Sequence, residues 1–409
     1  MKKFVITGIL CFLVSLSFGQ KKAVSAAKNE IKAASPNFAE ARALIKDALT
    51  HPETANQAET WYVAGSIEDK QLDNERLKEM LGQPPNEAVM YDALEKILPY
   101  FLKAIELDQM PDVKGKVKPK FIKDIRAKLR ANRLYYINAG LFANEKQNYK
   151  KAYENFKNFT EIPKMDIFKG EKWEINERDS LELQIKYYAG LMAAAIPDYQ
   201  AAISIFSSLK NMNYMEKEIY ENLAIQYILS GDTLTYEKTL KESIDKFPKI
   251  DAFLLSLINL YMSTERFTDA IAYLEKAISK NPTSGELFDK LGQIYEVEKK
   301  SDEALVNMKK AIEIEPDNKE FLFNIGRLYF NLGVEKRIAA DDNFSNVSKS
   351  KELDEQSLNY FKLAMPFLEK VFKLDPENTK AIYALRNIYY SLKMMPEYEK
   401  MDALYGGDK

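Results

Sequence analysis

Residues 291–316, LGQIYEVEKKSDEALVNMKKAIEIEP, set small residues among large apolar ones at uneven intervals: Gly292, Tyr295, Ala304 and Ala311, closed by Pro316. The pattern recurs along the chain. At a spacing of 34 residues Tyr295 is preceded by Tyr261 and Tyr227 and followed by Tyr329, while Pro316 is preceded by Pro282 and Pro248. Gly292 is matched by Gly326, Ala304 by Ala270, Ala311 by Ala277, and Met308 by Leu274 and Leu240. A fixed period of this length predicts an array of repeats, each stacked on its neighbours instead of folded around one central core.

These residues resemble the tetratricopeptide repeat, whose unit is two antiparallel helices, A and B. The resemblance implies an all-α superhelical solenoid of antiparallel helix pairs. The Gly and Ala places let the two helices approach closely, and the aromatic and aliphatic places fill the space between pairs. Proline ends helix B and turns the chain.

Allowing insertions extends the register in both directions. Ala189-Gly190 with Ala202 and Phe206, and Ala139-Gly140 with Ala152 and Phe156, mark two earlier units separated by an insertion near 167–182. Trp61, Ala64 and Gly65 open another whose second helix holds Phe101 and Ala104, and Phe38–Ala48 resembles a lone second helix. Beyond Tyr329 the next matches, Pro376 and Tyr389, are displaced by 60 residues, that is one repeat plus 26. The 20 extra residues between Gly65 and Phe101 turn near Gly82-Gln-Pro-Pro85, and the 26 near 331–356 stay helical in composition except around Asn343–Ser350. Both insertions predict lengthened helical hairpins, projecting by roughly 15 Å at the rise of an α-helix.

Composition fits this picture, with 46% hydrophobic and 29% charged residues and only 15 Gly and 15 Pro in 409. The first residues form a separate object. MKKFVITGILCFLVSLSFG has Lys2 and Lys3, an apolar run from Phe4 to Leu16, and small residues at Ser17 and Gly19, which is the layout of a signal peptide, 1–19, with Gln20 as the mature N-terminus. Residues 20–132 then hold the N-terminal helices, a lengthened hairpin and a basic helix, and 133–409 the main array. Export to the periplasm follows as an expectation, with secretion or surface display as alternatives. Leader, repeats and insertions together resemble secreted tetratricopeptide proteins of Bacteroidetes-type bacteria.

Removing the leader takes away Cys11, the single cysteine, and leaves 57 basic against 61 acidic residues. That balance disfavours nucleic acid as a partner. Within it, Lys120, Lys123, Arg126, Arg130 and Arg133 share one helical face opposite Ile122, Ile125, Leu129 and Tyr136. A wet basic side is expected, with contact to anionic lipid or an acidic partner as its functional version.

His51 is the sole histidine, so a histidine-dependent triad or paired-histidine metal site has no members to draw on. No phosphate-cradling or dinucleotide-binding glycine motif is present, and no catalytic residue, metal or cofactor is assigned. Asp341, Asn343, Ser345 and Glu352 have the spacing of calcium-loop ligands, but Asn346 stands where Gly is demanded, and a solvated turn is the better reading. Asp179-Ser180-Leu181 and Asp232-Thr233-Leu234 resemble a short acceptor motif for periplasmic O-glycosylation.

The resemblance assigns the binding surface to helix A, at places two, five, nine and twelve of each unit. Those places give Glu218 and Glu221; Asn259; Glu286, Asp289, Gln293 and Glu296; and Glu320, Phe323, Arg327 and Phe330. The expected function is a non-enzymatic scaffold docking proteins or peptides, with Phe323 and Phe330 as apolar anchors and the carboxylates favouring a basic or amide-rich extended segment. A carbohydrate-binding protein of the same architecture is the alternative.

Overall fold

The computed structural model describes residues 19–112, 114–171, 173, 176, 178–248 and 251–406. The leader, apart from Gly19, lies outside the described residues. All regular structure among them is helical: α1 (19–30), α2 (Phe38–Lys46), α3 (Ala58–Met80), α4 (Glu87–Asp108), α5 (Ile122–Asn132), α6 (Tyr135–Glu145), α7 (Tyr149–Glu161), α8 (Ser180–Ala195), α9 (Tyr199–Leu209) and α10 (Glu216–Leu229). There follow α11 (Thr233–Lys246), α12 (Asp251–Ser263), α13 (Phe267–Lys280), α14 (Gly285–Val297), α15 (Ser301–Ile314), α16 (Lys319–Asp342), α17 (Val347–Leu374), α18 (Thr379–Ser391) and α19 (Met395–Gly406). Two compact units divide inside α11, one running to Tyr236 and the other starting at Glu237.

The repeat register becomes geometry at two points that recur among the pairs. At the A–B crossing, a Cβ added to Gly292 would stand 2.7 Å from Met308 Cγ and 3.1 Å from the Ala304 carbonyl oxygen, so only a hydrogen fits there. Gly326 against Leu368, and in the first unit Gly190 against Phe206, repeat the contact. At the turn after helix A, the recurring tyrosine gives its carbonyl to the backbone N–H five residues on: Asp232 to Tyr227 at 2.9 Å, Arg266 to Tyr261 at 2.8 Å, Lys300 to Tyr295 at 2.8 Å and Met394 to Tyr389 at 2.9 Å. This 6→1 bond closes a Schellman motif, which needs a left-handed residue between. Gly231, Glu265, Lys299 and Lys393 fill that place with φ of 81°, 57°, 61° and 62°. The other end of three pairs is equally regular, since Asn281, Glu315 and Asp375 cap helix B outside the helical region directly before proline.

The two lengthened hairpins are present. α3 and α4 turn at Gly82, with φ of 72°, and α16 and α17 turn at 343–346, where Asn346 caps α17 by accepting from the Lys349 N–H. Glu352 lies inside α17 and pairs with Lys349, so the calcium-like spacing is a capped helix turn. Gly333, one repeat after Lys299, is helical instead of left-handed: its carbonyl accepts from Ser357 Oγ at 2.8 Å and the Phe361 ring covers its missing Cβ. Both hairpins end in bare apolar residues, Met80 and Leu81 on one, Phe344 and Val347 on the other.

In the first unit residues 63–69 of α3 are buried on every side, and three carboxylates of the helix, Glu68, Asp69 and Glu75, are buried with partners. Glu68 accepts both guanidinium bonds of Arg42, Asp69 meets Lys128 at 2.5 Å and Asn132 at 2.7 Å, and Glu75 meets Lys78 at 2.7 Å and the Asn86 N–H at 2.8 Å. Unpaired, each would carry a large desolvation cost. Asp108 accepts from the Lys120 and Phe121 N–H groups at the start of α5.

The face of α5 corrects one expectation. Ile125, Leu129 and Tyr136 are buried as the pattern required, but of the arginines opposite only Arg130 is exposed, Arg126 being half-buried and Arg133 buried. Arg133 is 7% exposed, lies 3.8 Å from the Phe159 ring centroid and forks onto Glu182 at 2.6 and 2.7 Å. Arg126 pairs with Glu171 at 2.9 Å, and Arg130 lies over Trp173 at 4.9 Å. Glu171, Trp173 and Glu182 of the insertion near 167–182 thus fold onto the basic stripe, leaving Lys120, Lys123 and Arg130 exposed.

Candidate functional site

The second unit carries the larger part of the predicted surface on its A helices, α12, α14, α16 and α18. Asn259 is exposed on α12, and Glu286 and Glu320 are exposed near the starts of α14 and α16, with no ion pair to either among the described residues. Between α14 and α16 the places join into two polar bridges. Glu296 takes both guanidinium bonds of Arg327 at 2.7 Å. Asp289 is 1% exposed and accepts from Gln293 Nε2 at 2.5 Å and Asn324 Nδ2 at 2.9 Å. Burial pushes its carboxyl up to about 6, against the pull of those two amide donors. Asp289 and Gln293 are therefore spent on each other and on the neighbouring helix, and Asp289 is not the exposed acceptor its place in the repeat suggested.

Farther along, Phe323, Arg327 and Phe330 of α16 line one open cavity of about 600 Å³ together with Lys380 and Tyr383 of α18 and Tyr405 of α19. Phe330 meets Tyr383 edge-on, centroids 6.4 Å apart at 78°, and Tyr383 meets Tyr405 at 5.7 Å. Tyr383 and Tyr405 are 45% and 40% exposed. Reading the places in α16 alone misses Lys380 and Tyr383. The signal for them is the 60-residue displacement that carries Tyr329 to Tyr389, because it also carries Glu320 to Lys380 and Phe323 to Tyr383. Tyr405 belongs to a B-type helix and has no place in that rule.

Glu218 and Glu221 lie on α10 in the first unit; both are half-buried, and Glu221 pairs with Lys217 at 2.9 Å. The rest of that helix's A face is apolar and exposed at Ile225, Ile228 and Leu229. In both acceptor-like motifs the aspartate caps a helix, Asp179 accepting from the Leu181 N–H at 2.9 Å and Asp232 from the Thr235 N–H at 3.0 Å, with Ser180 and Thr233 exposed beside them.

Stacked helix pairs, with small residues at the crossings and a shared A-helix face, define a helical-repeat architecture. The tetratricopeptide repeat family model matches residues 257–284 and 286–318, so those residues are identified as tetratricopeptide repeats. Among solved structures it is similar to a TPR repeats protein, BF2334 from Bacteroides fragilis NCTC 9343, at 18% identity and a TM-score of 0.32, over 63% of this chain and 98% of that one. YrrB, described as a TPR protein with an unusual peptide-binding site, is 15% identical with a TM-score of 0.33, over 51% of this chain and 93% of its own. A MamA structure, AMB-1, is 18% identical with a TM-score of 0.31, over 48% and 94%. No curated protein matches the chain.

Proposed function

We propose that the protein is a non-enzymatic scaffold of the cell envelope, exported by its first 19 residues, that docks extended polypeptide segments across the A helices of residues 237–409. The observation that carries this reading is the continuous run of available chemistry from the free carboxylates of Glu286 and Glu320 to the aromatic cavity between α16 and α18. Fixed helices present it, so docking costs little ordering of the protein. Basic or amide-rich residues of the partner meet Glu286 and Glu320, while Asp289 and Glu296 hold the surface in shape. The leader layout, with the repeats, supports a Bacteroidetes-type envelope protein.

Selection from a random peptide display library at low and at high salt tests the docking. Peptides with basic residues should be enriched, and Glu286→Lys with Glu320→Lys should weaken them several-fold, more at low salt. Failure to enrich any peptide, or retention of a glycan in place of peptides on an array, would end this reading. Sequencing the mature protein from the envelope fraction should start at Gln20.

A further inference from the structure

The cavity between α16, α18 and α19 differs from the rest of the A-helix face in its electrostatics. None of its lining residues is a carboxylate. Of its two cations, Arg327 is compensated by both oxygens of Glu296 at 2.7 Å, whereas Lys380 is exposed and has no ion-pair partner among the described residues. Phe323, Phe330, Tyr383 and Tyr405 supply partly exposed ring surface on three helices, and a volume of about 600 Å³ exceeds one side chain, leaving room for adjoining backbone.

We propose that this cavity is an end subsite that seats an aromatic side chain of a partner polypeptide whose neighbouring residue is acidic. The inference rests on the docking reading above and adds a chemistry opposite to that expected near Glu286 and Glu320. A partner ring entering beside Tyr383 gains edge and face contacts with Phe330 and Tyr405 while removing their exposed surface from water. A carboxylate one or two residues away reaches Lys380. A lysine or arginine there would be repelled by Lys380 and find no acceptor of charge on the wall, so the rim selects by sign even where the ion pair itself is weak.

The test uses the full chain and three synthetic peptide sets: aromatic-acidic, aromatic-basic and alanine-acidic, each with a common basic half. Aromatic-acidic peptides should bind best, and Tyr383→Ala should weaken them about tenfold, the size of effect an anchoring aromatic supports. Lys380→Glu should reverse the preference so that aromatic-basic peptides bind better. Both substitutions fall on exposed side chains, and unchanged thermal unfolding shows that they leave the fold intact. Equal binding of the three sets, or binding indifferent to both substitutions, overturns the subsite. If such indifferent binding still depends on Glu286 and Glu320, the docking reading stands without it; if no peptide binds, both fall.

Discussion

Asp289 couples the A-helix face to pH. In the unfolded chain its carboxyl ionises near 3.8, and in the folded unit burial moves that to about 6. Between those values the native state keeps a proton that the unfolded state releases, so stability is highest below the unfolded value and falls as pH rises through about 6. A shift of about two units corresponds to about 3 kcal/mol at most. Asp289→Asn should abolish this slope, so urea unfolding at pH 4 and pH 7 should show the variant gaining on the native protein as pH rises; parallel curves would count against it. Glu237 works in the opposite sense. Arg266, with help from Lys241 and Tyr261, holds its carboxyl down to about 2, so its contribution is present at neutral pH and lost as pH falls from the ordinary carboxylate range towards 2. The sequence marks Asp289 as a surface residue because its place fixes an angle around one helix. Its depth is set by Asn324, 35 residues away on the next A helix, and that covering residue has no signature of its own.

At the level of helices, Gly292 makes the most direct test of the repeat. Gly292→Leu would drive a side chain into Met308 and the Ala304 carbonyl, and backbone cannot yield as a side-chain tip can. Overpacking of this kind costs about 1–3 kcal/mol, and unfolding should begin in the α14–α15 pair. Hydrogen exchange should show those two helices losing protection first, and unchanged protection would place the crossing elsewhere. Which helices exist, and where they cross, was legible because small residues and prolines recur at one spacing. The turns were less so: only Gly231 announces the left-handed place that Glu265, Lys299 and Lys393 also occupy, and it is the tyrosine carbonyl that repeats. For α5 the apolar face was readable from its own residues. The fate of its arginines was not, since Glu171, Trp173 and Glu182 lie in or beside an irregular insertion with no period to follow.

Each of the two compact units carries one of the lengthened hairpins, α3–α4 in the first and α16–α17 in the second. The second can be followed residue by residue, because the 34-residue register resumes after it. Gly333 corresponds to left-handed Lys299, while Ala364, Leu368 and Val371, all fully buried, correspond to Ala304, Met308 and Ala311. Joining Gly333 directly to Tyr360 would remove 26 residues and restore an ordinary repeat length. The glycine could then adopt the left-handed turn that its equivalents use, with the same helix crossing beneath it. The shortened protein should melt cooperatively, with its helical signal reduced only by the share of the missing residues; an aggregated or non-cooperative product would show that the outgrowth is needed to complete the core. Gly333 is then a splice point. A different helical hairpin could be grafted there, and a lineage could change what the outgrowth touches without redesigning the array that carries it.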